Sequence, residues 1–218
     1  MKQLLFVLGS LMMSVFATAQ DFEGKVLFEI SLGKDVDPQV QQMMPKESVM
    51  YVKDGKTRVE MTMGMGMKNI TLSDSKEKKA VVLMDMMGQK YAIKKDLTED
   101  ESASEATKVT VTKETKTIAG YKVTKAIIET PVKDEKELAK MEVWFTKELA
   151  LKSNYVAGAS GKIDGAILEY NVNQKGISMK FTAKEVSKEK VDNAKFEIPD
   201  GYKVTTQEEL MKSMGGGK

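Results

Sequence analysis

The chain has 218 residues, with 34 basic and 32 acidic side chains and a formal net charge of +2, so its charge balance gives no reason to expect a nucleic acid partner. It contains neither cysteine nor histidine. This excludes disulfides, Ser-His-Asp and Cys-His catalytic systems and the usual zinc sites. We therefore predict that the protein is not an enzyme and that it carries no cofactor.

The first 20 residues have the layout of a secretory signal. A lysine at position 2 precedes an apolar run over 4–16, and Ala17-Thr18-Ala19 follows, which is the order found before a signal cleavage site. We predict cleavage after residue 19 or 20. No cysteine follows that could carry a lipid, and no later apolar run is long enough for a transmembrane helix. The predicted location is therefore the periplasm or the outside of the cell, without a lipid anchor.

Alternation of apolar and polar residues is the main pattern after residue 20, and it predicts strands with one buried face. The first predicted strand covers 22–31. A short helix is predicted over 38–44, because Asp37 can cap it and Pro38 suits a first helical turn. The Asp54-Gly55 pair predicts a tight hairpin, since both residues adopt positive φ angles readily.

Beyond this hairpin the alternation runs from 57 to 67, where a turn or bulge is expected near Gly64 or Gly66. A polar, acidic stretch over 94–108 predicts a solvated connection, and the spacing over 207–214 predicts a final helix before a glycine-rich tail. The remaining predicted strands are 81–87, 89–93, 108–112, 121–129, 141–146, 163–172 and 177–185. About ten strands with short links predict a mainly β fold, a large curved antiparallel sheet or barrel.

Four segments resemble those of a known family: YVKDGKTRVEM at 51–61, IAGYK at 118–122, EVWFTK at 142–147 and FEIPDGYK at 196–203. They are similar to exported Bacteroidetes proteins catalogued as a domain of unknown function with a lipoprotein-carrier (LolA-like) fold. The resemblance implies a strongly curved antiparallel half-barrel with a few short helices on its concave face. It implies no reaction and no catalytic residues. The predicted organisation is a signal peptide at 1–20, a LolA-like domain at 21–205 and a helix with its tail at 206–218.

The most unusual local feature is a run of alternating methionines. In an extended strand, residues two apart share one face, so the methionines from 61 to 67 are expected to form one stripe. A following strand that pairs with it would widen the stripe. The predicted ligand-binding residues are Met61, Met63, Met65, Met67, Val82, Met84 and Met86.

Three interpretations of this stripe stay open. Methionine fills irregular cores, and it also lines apolar grooves that accept varied shapes. Thioethers are also ligands for Cu(I) and Ag(I). The function predicted from the sequence is a non-enzymatic exported protein that binds a hydrophobic small molecule or lipid, such as an acyl chain or a lipidated peptide. The alternatives are a Cu(I)/Ag(I)-binding protein and a structural envelope interaction protein.

Two further patterns bear on function. Trp144 and Phe145 are neighbours in a predicted strand, so their side chains are expected on opposite faces. A pair of carboxylates that hydrolyses glycosides needs only Asp or Glu, yet nothing in the sequence singles out two of them. The sequence leaves the oligomeric state open.

Overall fold

The structure, a computed structural model, describes residues 21–34, 36–86, 88–97, 106–131, 138–151, 162–174 and 176–213. The predicted signal peptide and the glycine-rich tail lie outside these residues. The described residues form one mixed sheet of twelve strands that is not closed into a barrel. A mainly β fold is therefore confirmed. Within the described part of the chain, no helix is long and apolar enough to cross a membrane.

The sheet combines twelve strands with short helical segments. Helix α1 (Pro38–Met43) follows the first strand, helix α2 (Gln207–Ser213) follows the last, and 3-10 turns cover Gly64–Gly66 and Asn193–Phe196. The strands are β1 (Gly24–Leu32), β2 (Glu47–Lys53), β3 (Lys56–Thr62), β4 (Lys68–Asp74), β5 (Lys79–Met86), β6 (Gln89–Asp96), β7 (Lys108–Ile118), β8 (Tyr121–Pro131), β9 (Leu138–Thr146), β10 (Ala166–Gln174), β11 (Ile177–Lys188) and β12 (Lys203–Thr206).

Two antiparallel meanders lie side by side in this sheet. The strand order is β12-β6-β5-β4-β3-β2-β1-β11-β10-β9-β8-β7. The first meander is β1 to β6 and the second is β7 to β11. They meet where β1 pairs with β11, from Gly24 opposite Lys188 to Leu32 opposite Met179. β12 pairs with β6 in parallel. It therefore adds a twelfth strand at the outer edge of the first meander.

Several local predictions agree with the structure. The Asp37 side chain accepts a hydrogen bond from Gln39 N at the start of α1, as a helix cap does. Asp54 and Gly55 have φ angles of 51° and 83°, which are the positive values that a tight hairpin turn requires. Local sequence therefore determines both the first helix and the β2–β3 turn.

The alternating residues over 57–67 do not form a single strand. β3 ends at Thr62, and the chain turns at Gly64–Gly66 before β4 begins. A Cβ at Gly64 would lie 2.4 Å from the carbonyl oxygen of Gln42, so only glycine allows the turn to pack this closely on α1. The turn expected near Gly64 or Gly66 is therefore confirmed, and it interrupts the methionine-rich segment.

The main core lies on one face of the central strands. Phe28 on β1 is only 1% exposed and meets the ring of Tyr170 edge to face, with 6.0 Å between centroids. Tyr170 in turn stacks on Phe181 at 4.7 Å. Burial of this kind raises the pKa of Tyr170 above its ordinary value. The three rings tie β1, β10 and β11 together.

A C-terminal strap, which we define as residues 189–202, covers part of the first meander. Ile198 and Tyr202 pack on a buried cluster formed by β4, β5 and β6. Arg58, the only arginine of the chain, donates a hydrogen bond of 2.9 Å to the carbonyl of Lys195. The Lys195 ammonium lies 4.4 Å from the centre of the Tyr51 ring. The strap thus holds β12 beside β6 through both apolar and polar contacts.

The Arg58→Met variant is expected to lose about 1.5 kcal/mol of unfolding free energy, because it removes a charged hydrogen bond from a largely buried side chain. Urea denaturation measures this loss. The matched control is Lys56→Met, whose half-exposed side chain lies 3.8 Å from Asp74 and should cost less than about 0.5 kcal/mol. Equal losses for the two variants would show that the Arg58 contact does not hold the strap.

Candidate functional site

A row of register partners crosses five adjacent strands on one face of the second meander and β1. Trp144 on β9 is opposite Lys125 on β8 and Glu169 on β10. Glu169 is opposite Thr182 on β11, which is opposite Glu29 on β1. Paired residues point to the same side of a sheet. The row therefore places the only tryptophan of the chain among charged and polar side chains.

The edge strand β7 folds back over this row. β7 contacts β11, which is four strands away and would be about 19 Å away in a flat sheet. Lys116 of β7 places its Nζ 4.1 Å from the centre of the Trp144 ring and 2.7 Å from Glu169 Oε1. This end of the sheet therefore curls toward Trp144. We call Lys116, Trp144, Glu169, Lys180 and Thr182 the Trp144 site.

Glu169 is the most enclosed charged group of the Trp144 site, since its side chain is only 8% exposed. Burial alone would raise its pKa, but hydrogen bonds from Lys116 and Lys180 outweigh burial and hold the pKa of Glu169 below the ordinary value of 4.5. Lys180 lies 3.1 Å away, and the Thr182 hydroxyl donates a hydrogen bond of 3.3 Å to the second carboxylate oxygen. The carboxylate is therefore ionised at neutral pH, and three side-chain donors contact its two oxygens.

A second charged group flanks Trp144 on the other side. Lys125 forms ion pairs with Glu142 at 3.2 Å and with Glu114 at 3.4 Å. Its hydrogen bond to Glu142 is the main reason why the pKa of Lys125 is raised. No three histidine, cysteine, aspartate or glutamate side chains of the described residues are grouped to hold a metal ion. The site is thus a tryptophan between two ionic clusters.

Replacing Glu169 by glutamine is expected to cost about 2 kcal/mol of unfolding free energy at pH 7, because two lysines lose their shared anion. A folded-state pKa below 4.5 means that the ionised carboxylate stabilises the protein above that pH. The contribution is lost as the pH falls through the folded pKa. Urea denaturation between pH 3 and pH 7 should therefore show the difference from wild type shrinking at low pH.

The matched control for this variant is Glu29→Gln. Glu29 pairs with Lys184 at 3.0 Å, but both side chains are more than half exposed, so the expected cost is only about 0.3 kcal/mol. A Glu169→Gln cost that stays constant from pH 7 to pH 3 would contradict the assignment of the effect to the ionised carboxylate.

The seven predicted ligand-binding residues lie on the first meander, away from the Trp144 site. Met61, Asn69 and Met84 are successive register partners on β3, β4 and β5, and Val82 lies two residues from Met84 on the same face. The two methionine strands do not pair directly, because β4 lies between them. β4 is not among the strands predicted from the sequence.

Of the remaining predicted residues, the three methionines between β3 and β4 lie outside both strands. Met63 follows the end of β3, Met65 lies in the 3-10 turn, and Met67 leads into β4 with 45% of its surface exposed. Met86 is the last residue of β5. A single stripe over 61–67 is therefore wrong, because the strand ends at Thr62. Nothing in these positions tests binding of a hydrophobic ligand, Cu(I) or Ag(I), which stays a prediction.

Sequence reasoning missed the Trp144 site, although one signal was available. Glu169 is a lone carboxylate among the buried residues Ala166, Ile167 and Leu168. A buried carboxylate needs partners of opposite charge. Glu169 therefore indicates lysines on the neighbouring strands. The sequence could not identify Lys116 as one of them, because that contact depends on the curl of β7.

The fold and the site together define the class of protein. It is an open β-sheet domain whose candidate site combines a tryptophan with ion pairs. The chain belongs to the family described as "N-glycanase peptide, N-terminal domain", which matches residues 68–207. No curated protein matches the chain.

This family corrects three predictions. The resemblance to an exported domain of unknown function with a LolA-like fold is wrong, because the matching family is the N-terminal domain of an N-glycanase. The match also points away from a lipid-binding LolA-like protein. The prediction that the protein is not an enzyme is overturned as well, since an N-glycanase family indicates an enzyme-related protein, although only the N-terminal domain is matched.

The folded unit extends beyond the matched residues. The match includes β4 to β12, which form the two ends of the sheet. β1, β2 and β3 lie between those ends, so the matched strands make one sheet only when the unmatched ones are present. The domain therefore begins no later than β1.

Proposed function

We propose that this domain binds N-glycans of glycoproteins and thereby serves the reaction of an N-glycanase. The observation that carries the proposal is the Trp144 site, where an aromatic ring lies beside hydrogen-bonding groups that are fixed in place by ion pairs. Membership of an N-glycanase family supports a glycan as the ligand. The exported location predicted from residues 1–20 is part of the proposal.

The chemistry of a sugar suits this arrangement. A pyranose ring has an apolar face of C–H groups that can pack on an indole, while its hydroxyl groups need donors and acceptors around the ring edge. Binding sites commonly combine such an aromatic surface with a few well-placed polar groups. In the Trp144 site, the lysines supply donors, and Thr182 supplies a hydroxyl.

The ion pairs also reduce the cost of ordering the site. A flexible lysine loses side-chain entropy when a ligand fixes it. Here Lys116 and Lys180 are already held by Glu169 at 2.7 and 3.1 Å. The buried carboxylate therefore positions both ammonium groups beside the indole before a ligand arrives.

Tryptophan fluorescence tests the proposal directly, because Trp144 is the only tryptophan. Titration with a neutral N-glycan is expected to shift the emission in a saturable way, and calorimetry should show at least tenfold weaker binding by Trp144→Ala. The matched control is Tyr91→Ala, which changes a half-buried aromatic residue on β6 and should leave binding unchanged. Absence of binding at millimolar glycan, or unchanged binding by Trp144→Ala, would refute the proposal.

A further inference from the structure

The charges of the Trp144 site are unevenly distributed around the indole. Lys116 and Lys180 share one oxygen of Glu169, so two cations face one anion and this side carries a net charge of +1. On the other side, Lys125 is paired with both Glu114 and Glu142, which gives a net charge of −1. Trp144 lies between a positive and a negative cluster.

The lysine side chains of the positive cluster are more exposed to solvent than the carboxylate that they share. The Glu169 side chain is 8% exposed, whereas those of Lys116 and Lys180 are 35% and 46% exposed. The anion is therefore enclosed, whereas both lysine side chains stay partly exposed to solvent. The register partners of Lys180 on the neighbouring strands are Asn171 and Ser31, which are neutral. Within the described residues, neither register partner of Lys180 supplies a further carboxylate.

We infer that the Trp144 site prefers a glycan with an acidic sugar, whose carboxylate is bound by Lys180 and Lys116 beside Trp144. This inference rests on the proposed function. A ligand carboxylate there would gain charged hydrogen bonds to ammonium groups that Glu169 leaves partly unneutralised. The opposite cluster orients the same ligand, because Glu114 and Glu142 repel a carboxylate and accept hydrogen bonds from hydroxyl or amide groups.

The charge pattern gives the ligand one favoured direction. A carboxylate turned toward β8 would meet the excess of negative charge around Lys125, whereas one turned toward β11 meets the excess of positive charge. Since like charges brought together across an interface are costly, the reversed orientation is disfavoured. A neutral glycan lacks this constraint and loses the added attraction.

Calorimetric titration with an N-glycan that ends in an acidic sugar, and with the same glycan after removal of that sugar, tests the inference. In 20 mM salt we expect about tenfold tighter binding of the acidic glycan. The advantage should fall toward twofold in 500 mM salt, because salt screens exposed charges. Lys180→Gln should remove most of the advantage. Lys184→Gln, which changes a lysine of the same strand that pairs with Glu29, should leave both affinities unchanged.

The outcomes separate the inference from the proposed function. Equal affinities for the two glycans would overturn the inference and leave glycan binding in place. Full retention of the acidic preference by Lys180→Gln would also overturn it. Binding of neither glycan would refute the proposed function itself.

Discussion

Adding one methyl group at Gly165 is expected to cost about 3–5 kcal/mol of unfolding free energy. Gly165 has a φ angle of +127°, and a Cβ there would lie 2.1 Å from the carbonyl oxygen of Thr146. The contact is with the backbone of β9, which cannot move aside without breaking its pairing with β10. Urea denaturation of Gly165→Ala measures the loss.

Gly176→Ala is the matched control for this prediction. Gly176 also has a positive φ angle, +82°, but nothing lies within 4 Å of the added Cβ. Its cost should therefore be limited to the backbone strain of about 1–2 kcal/mol. Similar losses for the two variants would mean that the close approach of β9 and β10 at Gly165 relaxes at little cost.

Truncation of Phe28 is expected to destabilise the main core by about 4 kcal/mol. The ring is almost fully buried and contacts Tyr170, which stacks on Phe181, so Phe28→Ala leaves a cavity where β1 meets the second meander. The melting temperature should fall by roughly 12 °C. Differential scanning calorimetry measures the change.

The control for Phe28 is its neighbour on the other face of β1. Leu27 is half-buried, and Leu27→Ala should cost about 1 kcal/mol. If both variants melted at the same temperature, the aromatic contacts would not be the main connection between the two meanders.

Local features of this fold were predictable from sequence because their causes are local. The Asp54-Gly55 turn depends on the φ preferences of two residues, and the start of α1 depends on Asp37 and Pro38. Alternation correctly indicated a mainly β chain with strands near 121–129, 141–146 and 177–185. These signals need no knowledge of the neighbouring strands.

The strand order was not predictable in the same way. Alternation shows that a strand has a buried face, but not which strand lies beside it. For this reason the sequence left open whether the methionine strand pairs with the strand containing Met84, and in the structure β4 lies between them. The parallel pairing of β12 with β6 depends on the path of the strap, whose contacts with Arg58 and Tyr51 connect distant parts of the chain.

The candidate site was missed because it depends on the shape of the sheet. Alternation correctly separated Trp144 from Phe145, and Phe145 is the more buried of the two. The partner of Trp144 comes from β7, and the distance between Lys116 and Glu169 is short only because β7 curls back toward β11. Sheet curvature is a property of many strands together, and no short segment encodes it.

The meeting of β1 with β11 has a consequence for how the chain folds. Each meander is built from neighbouring hairpins, so most of its contacts join residues that are close in the sequence. The pairing of Gly24 with Lys188 joins residues from opposite ends of the domain, and closing so large a loop carries a high entropic cost. Proteins dominated by such distant contacts fold slowly, on a scale of about milliseconds to seconds. During synthesis, one edge of β1 has no strand partner until β11 has been made.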